Sequence, residues 1–264
     1  MGPRAASLPP VGTARTRQGR LNYVVSGEGR PAIVLLNGAG VSLEGWRALY
    51  PDIEEFARVF AWNRPGVKGS DAPREPQTGA VVVDALRELL DTAGVPPPYV
   101  LVGHSLGGLH ANLFARLHPA DVSGMLLIEA THPRDHEVLR KHAGLFAQAL
   151  SKVLSLPQAL LRRNLHSEID CVAETVAQVE AAGPFPNIPV TVITGGRAPP
   201  AWMMSPAAVG ARRAHQQDLA RLSPRGEHIV AQESGHFPQL SQPTLVLDAF
   251  AGLHSRCRRE AALA

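Results

Sequence analysis

Four short stretches of this chain are apolar almost without a break: Ala32 to Leu36, Val59 to Trp62, Tyr99 to Val102 and Met125 to Ile128. A strand with one wet face alternates apolar and polar side chains. A continuous run must be buried on both faces, which is the condition of a strand inside a parallel sheet sandwiched by helices. Val190 to Ile193 adds a fifth segment of strand character. Between these runs the apolar period becomes helical, as in Val82, Leu86, Leu89 and Leu90 within Gly79 to Ala93. Strand and helix in alternation predict an α/β fold with a mostly parallel, doubly wound sheet.

The flanking pieces fit that plan. Thr13 to Arg17 and Leu21 to Val25 read as strands joined by a hairpin turn at Gln18-Gly19. Glu44 to Phe56 reads as a helix. Ser205 suits an N-cap and Pro206 the first position of a helix running to about Leu222. His228 to Gln232 is expected as the last strand and Ser241 to Leu253 as the last helix. From 131 to 187 strand signals vanish and long helical periods appear, with Gly183-Pro184-Phe185-Pro186 closing the segment. This predicts a helical lid over 131–187 inserted into a core formed by 1–130 and 188–264. Phe146 and Leu150 of the lid, with Trp46 and Phe237 of the core, are expected to line an apolar substrate pocket.

Bulk properties narrow the function classes. A formal charge of +3 over 264 residues, with one dense basic cluster at Arg256, Arg258 and Arg259, argues against nucleic acid as a partner. Two cysteines, Cys171 and Cys257, are too few for a disulfide framework and suit a reducing cytoplasm. No apolar run reaches the roughly 18 residues of a membrane span, and Met1 to Pro10 lacks the apolar centre of a signal peptide. No cluster has metal-ligand spacing, and no cofactor is implied.

The chemistry is carried by Gly103-His104-Ser105-Leu106-Gly107, between the Tyr99 to Val102 run and a helix with Leu106, Leu109, Leu113 and Leu117 in period. A serine on a tight strand-to-helix turn presents its hydroxyl above the sheet end, and the helix start offers N–H groups to developing negative charge. Ser105 is therefore the expected nucleophile, and the Leu106 N–H an oxyanion donor. A serine hydroxyl needs a base. Of the 11 histidines, His236 is the best placed, in a Gly-His loop between the last strand and the last helix. His104 abuts the serine and is expected to turn its ring away from it.

Read together, the elbow, the Asn37-Gly38-Ala39-Gly40 turn, the Arg64-Pro65-Gly66 loop and the Gly235-His236 loop resemble the α/β-hydrolase fold family over about Arg20 to Leu253. The resemblance implies a triad acid. The loop where many members carry it, Gly195 to Pro200, holds no carboxylate here. Other members place the acid at the end of the preceding strand, where this chain has Glu129. Asp135, Asp170 and Asp218 are the weaker alternatives. By the same resemblance Ala39 supplies the second oxyanion N–H, although Asn37 stands where a histidine is often found, and the Arg64 loop gives structural support. The expected activity is that of a serine hydrolase cleaving an ester-like bond of a small, mainly apolar molecule through an acyl-enzyme. An acyltransferase, a C–C or amide hydrolase and a non-catalytic small-ligand binder are the alternatives.

Overall fold

The computed structural model describes residues 7–135, 168–202 and 204–261. Eight strands form one sheet: β1 (Gly12–Thr16), β2 (Gly19–Ser26), β3 (Ala32–Leu36), β4 (Val59–Trp62), β5 (Tyr99–His104), β6 (Val122–Ile128), β7 (Val190–Gly195) and β8 (Gly226–Ala231). Their spatial order is β1-β2-β4-β3-β5-β6-β7-β8. The β1–β2 hairpin joins antiparallel, and every pairing from β4 to β8 is parallel. Gly19 turns the hairpin at φ 106°, a conformation open to glycine and strained for other residues.

The described helices are α1 (Tyr50–Ile53), α2 (Gly79–Thr92), α3 (Leu106–Leu117), α4 (Val172–Ala181), α5 (Pro206–Ala220), α6 (Pro238–Ser241) and α7 (Pro243–Ala261). All five residues of β3 are buried and face two different cores. Ala32, Val34 and Leu36 pack with α2, α3 and α4, whereas Ile33 and Leu35 pack with α1 and with Val246, Phe250 and Leu253 of α7. The unbroken apolarity of β3 is thus the mark of a central strand between two helical layers.

Some expectations are corrected. Glu44 to Phe56 is not one helix but a 3-10 turn, Leu43–Trp46, followed by α1. Pro51 sits at the start of α1, where its missing N–H does no harm and where a new helix begins. The last strand begins and ends earlier than expected because β8 is a half-exposed edge strand whose pattern is weak. Trp46, expected at the pocket, is fully enclosed with Leu43, Leu49, Tyr50 and Ile53 beneath the sheet. Most of the expected lid, with Phe146 and Leu150, lies outside the described residues. Its C-terminal part, α4, is seated in the core: Val172, Val176 and Val179 pack against the α2–α3 layer, and Thr175 Oγ1 accepts the Gly79 N–H at 2.8 Å. Among the described residues no helix is long and apolar enough to cross a membrane.

Candidate active site

The strand ends β5, β6, β7 and β8 converge at one edge of the sheet, and the loops leaving them carry the chemistry. Ser105 sits between the last residue of β5 and the first of α3 with φ 53° and ψ −124°. Such a backbone persists only when its surroundings impose it. Here Ser105 N–H donates to Ile128 O at 3.2 Å, while Ser105 O accepts the Gly108 N–H at 3.0 Å and the Thr131 N–H at 2.9 Å. The glycines around it are sterically required. A Cβ on Gly107 would fall within 3.0 Å of the Leu36 and Asn37 carbonyl oxygens, and one on Gly103 equally close to the Gly108 backbone.

Glu129, directly after β6, is the other non-glycine residue with positive φ among the described residues, at 46°. Its N–H donates to Ile193 O at 2.8 Å. Its carboxylate is buried and fully engaged: Oε1 accepts the Gly195 N–H at 2.7 Å, and Oε2 lies 3.2 Å from His236 Nδ1 and 2.9 Å from Arg212 Nη2. Burial opposes the charge. The Arg212 guanidinium first, then His236 and the Gly195 N–H, outweigh it and hold the carboxyl down to about 2. Glu129 and His236 therefore meet. Asp170 is exposed, Asp218 pairs with Arg134 and Arg221, and Asp135 pairs with His215 at 2.6 Å.

A His236 ring that donates Nδ1–H to Glu129 keeps Nε2 as the acceptor, the form a general base needs. Burial, and next to it the Arg212 charge, pull His236 below the usual histidine value against the raising effect of Glu129. Phe237 is half-buried with its ring 5.1 Å from that of His236.

Three contacts at the candidate site were missed from sequence. Arg212 reaches both Glu129 and, at 3.4 Å, His236 Nδ1, from the body of α5. His104 also belongs to the site: its Nε2 lies 2.8 Å from the His236 carbonyl oxygen, and its ring is 4.9 Å from the His236 ring. A carbonyl accepts only from N–H, so this contact sets the His104 tautomer. Burial drives His104 down to about 3, so it stays neutral.

The third contact supports the turn after β3. Arg64 and Glu168, each almost wholly buried, form a bidentate pair with Nε–Oε1 at 2.5 Å and Nη2–Oε2 at 3.1 Å. Arg64 also donates to Asn37 O at 2.8 Å and Gly38 O at 2.6 Å, and Glu168 Oε2 accepts the Gly40 N–H at 2.7 Å. The turn lies against the nucleophile: a Cβ on Gly38 would be 3.1 Å from Ser105 Cβ and 3.5 Å from Ser105 Oγ. Ala39 is buried in that turn, and Leu106 is the first residue of α3, whose N–H has no acceptor within the helix. The arrangement supplies a hydroxyl on a strained turn, a carboxylate-held imidazole and two backbone segments whose N–H groups can receive an oxyanion. A cavity of about 940 Å³ elsewhere, lined by Gln18, Glu75, Asp84, Glu88 and Asp91, contains none of these residues.

A profile of the family described as alpha/beta hydrolase fold matches residues 31–163. Epoxide hydrolase 4 of Mus musculus is 29% identical over 144 residues, 53% of this chain and 40% of that protein. The uncharacterized protein YqjL of Bacillus subtilis is 36% identical over 97 residues, 37% of this chain and 38% of that one. The chain spans less than half the length of the curated relatives it matches. Among solved structures, a thermophilic esterase from Thermogutta terrifontis gives a TM-score of 0.69 at 20% identity, covering 94% of this chain and 99% of that one. The enol-lactonase from Burkholderia xenovorans LB400 gives 0.66 at 20%, covering 92% and 99%. At such identities the likeness is one of fold.

Proposed function

The chain belongs to the α/β-hydrolase fold family, and from that premise we propose that it is a serine hydrolase acting on the ester-like bond of a small, mainly apolar molecule. The observation that carries this reading is the 3.2 Å approach of His236 Nδ1 to Glu129 Oε2, at the same sheet edge as a serine held at φ 53°. His236 takes the Ser105 proton as Oγ attacks the carbonyl carbon. The Leu106 and Ala39 N–H groups receive the oxyanion, and Glu129 stabilises the imidazolium. The alcohol departs with the proton from His236, leaving an acyl-enzyme. Water, activated by the same imidazole, then releases the acid. No cofactor enters these steps.

Short p-nitrophenyl esters test the proposal. The parent protein should release p-nitrophenol and react covalently with a fluorophosphonate. Ser105→Ala should do neither, and Glu129→Gln should lose about 100-fold or more in turnover while remaining folded, because an amide that donates to Nδ1 favours the wrong imidazole tautomer and no longer stabilises the imidazolium. Equal turnover by parent and Ser105→Ala would refute the reading. Ester product formed on adding an alcohol would show acyl transfer by the same intermediate, and ligand binding without labelling would show a non-catalytic site.

A further inference from the structure

We infer that Arg64 is a positioning residue for the oxyanion site: paired with Glu168, it holds the Gly38–Ala39 peptide so that the Ala39 N–H faces the Ser105 side. The inference rests on the proposed serine mechanism and deepens it.

The geometry of one peptide carries the argument. The only cis peptide bonds among the described residues precede Pro31 and Pro98, so Gly38–Ala39 is trans. In a trans peptide the C=O and the following N–H point in opposite directions. Gly38 O is fixed by the Arg64 guanidinium at 2.6 Å and by the Val41 N–H at 3.2 Å. The Ala39 N–H therefore points away from Arg64. Asn37 O, held by Arg64 Nη1 at 2.8 Å, orients the preceding peptide in the same manner. The turn is pressed against Ser105, since a Cβ on Gly38 would stand 3.1 Å from Ser105 Cβ. Of the N–H groups that follow Gly38 in the turn, Gly40 is committed to Glu168 Oε2 at 2.7 Å and Val41 to Gly38 O at 3.2 Å, which leaves Ala39.

The charge pair is an expensive way to hold a turn unless direction matters. Well-packed apolar groups of the same size often stabilise as well as a buried ion pair or better, so stability alone does not explain this one. Here the planar guanidinium addresses two successive carbonyls and one carboxylate at once, which fixes rotation about the turn as well as its position. Lysine keeps the charge and cannot make that set of contacts.

Arg64→Lys and Glu168→Gln test the assignment, with ester turnover counted per fluorophosphonate-titrated site at temperatures well below each melting point. Loss of an oxyanion donor lowers kcat by about 100- to 1,000-fold, so partial misorientation should lower it by about 10- to 100-fold. KM should move less than about threefold, and the pH midpoint set by His236 should stay where it is, since neither residue touches the imidazole. Affinity for a boronic acid, which forms a tetrahedral adduct on serine, should fall by a factor similar to kcat. A kcat per site within twofold of the parent, or a loss seen only in KM, would overturn the assignment and leave Arg64 a purely structural residue. If Arg64→Lys does not fold, Glu168→Gln, which keeps the side-chain volume, decides alone. Turnover that survives in Ser105→Ala would remove the serine mechanism and this assignment with it. An active, Ser105-dependent parent with unaffected variants would remove only the assignment.

Discussion

Arg212 Nη2 stands 2.9 Å from Glu129 Oε2, nearer than the 3.2 Å that separates the same oxygen from His236 Nδ1. The carboxylate bonded to the imidazole is thus shared with a permanent cation. This has a direct consequence for pH dependence. Arg212 disfavours a second positive charge on His236 and so depresses its proton affinity. In the proposed mechanism the base is the neutral ring, so activity should fall on the acid side as the ring protonates. In Arg212→Gln the cation is gone from Glu129 Oε2 and no longer opposes a charge on His236, so the folded-state pKa rises. The acid limb of kcat/KM should therefore move to higher pH, measured as the half-maximal point of the profile. A limb that stays in place or moves to lower pH would contradict the arrangement.

Ser105 should be freed of strain by glycine. Backbone conformations of this kind cost on the order of 1–3 kcal/mol for a residue with a Cβ. Ser105→Gly relieves that, less the extra freedom glycine has when unfolded. We expect it to be more stable than Ser105→Ala by about 1 kcal/mol, or a few degrees in thermal melting, while both are inactive toward esters. Identical melting of the two variants would mean that the turn is relaxed.

Gly107 and Gly210 should behave in opposite ways. A Cβ at Gly107 meets main-chain oxygens that no side-chain motion can clear, whereas one at Gly210, within α5, meets nothing within 4 Å. Gly107→Ala should lose roughly 3 kcal/mol or fail to accumulate. Gly210→Ala should gain about 0.5–1 kcal/mol from helix propensity. Chemical denaturation of the two proteins reads both values.

These contrasts show what the sequence makes legible. Central strands are visible because burial on both faces leaves an apolar signature in the strand itself, as in β3. The elbow is visible because the steric demand falls on residues one or two positions from Ser105. Glu129 needed a family pattern, since a glutamate at a strand end carries no local mark of its partner. Arg212, His104 and the Arg64–Glu168 pair were not legible: each acquires its role from residues far away in the chain that only folding brings within reach. Glu168 is more than 100 positions from Arg64, and no local period records that meeting. Trp46 was misread for a related reason, because an aromatic residue near a turn looks alike whether it faces a pocket or a core.

His110, on α3, offers a test of acid stability apart from the chemistry. Burial, and after it the Arg64 charge, push its pKa down to about 3. Unfolded, the same ring takes a proton near 6.5. Between these values the unfolded chain binds more protons, so stability falls as pH drops from about 6.5 toward 3 and is unaffected above that window. The contribution is at most about 1.4 kcal/mol per pH unit. His110→Gln should flatten the slope of stability against pH by up to that amount, whatever its effect on stability at pH 8. An unchanged slope would show that His110 is protonated in the folded protein.

The main-chain bonds from Ser105 N–H to Ile128 O and from Thr131 N–H to Ser105 O stitch the ends of β5 and β6 together on either side of Glu129. Adjacent strands keep a spacing of about 4.8 Å that side-chain repacking barely alters. The separation of hydroxyl and acid is therefore inherited from the pitch of the sheet. Loops and lids can be exchanged around such a pair without retuning it, because its ruler is the polypeptide backbone.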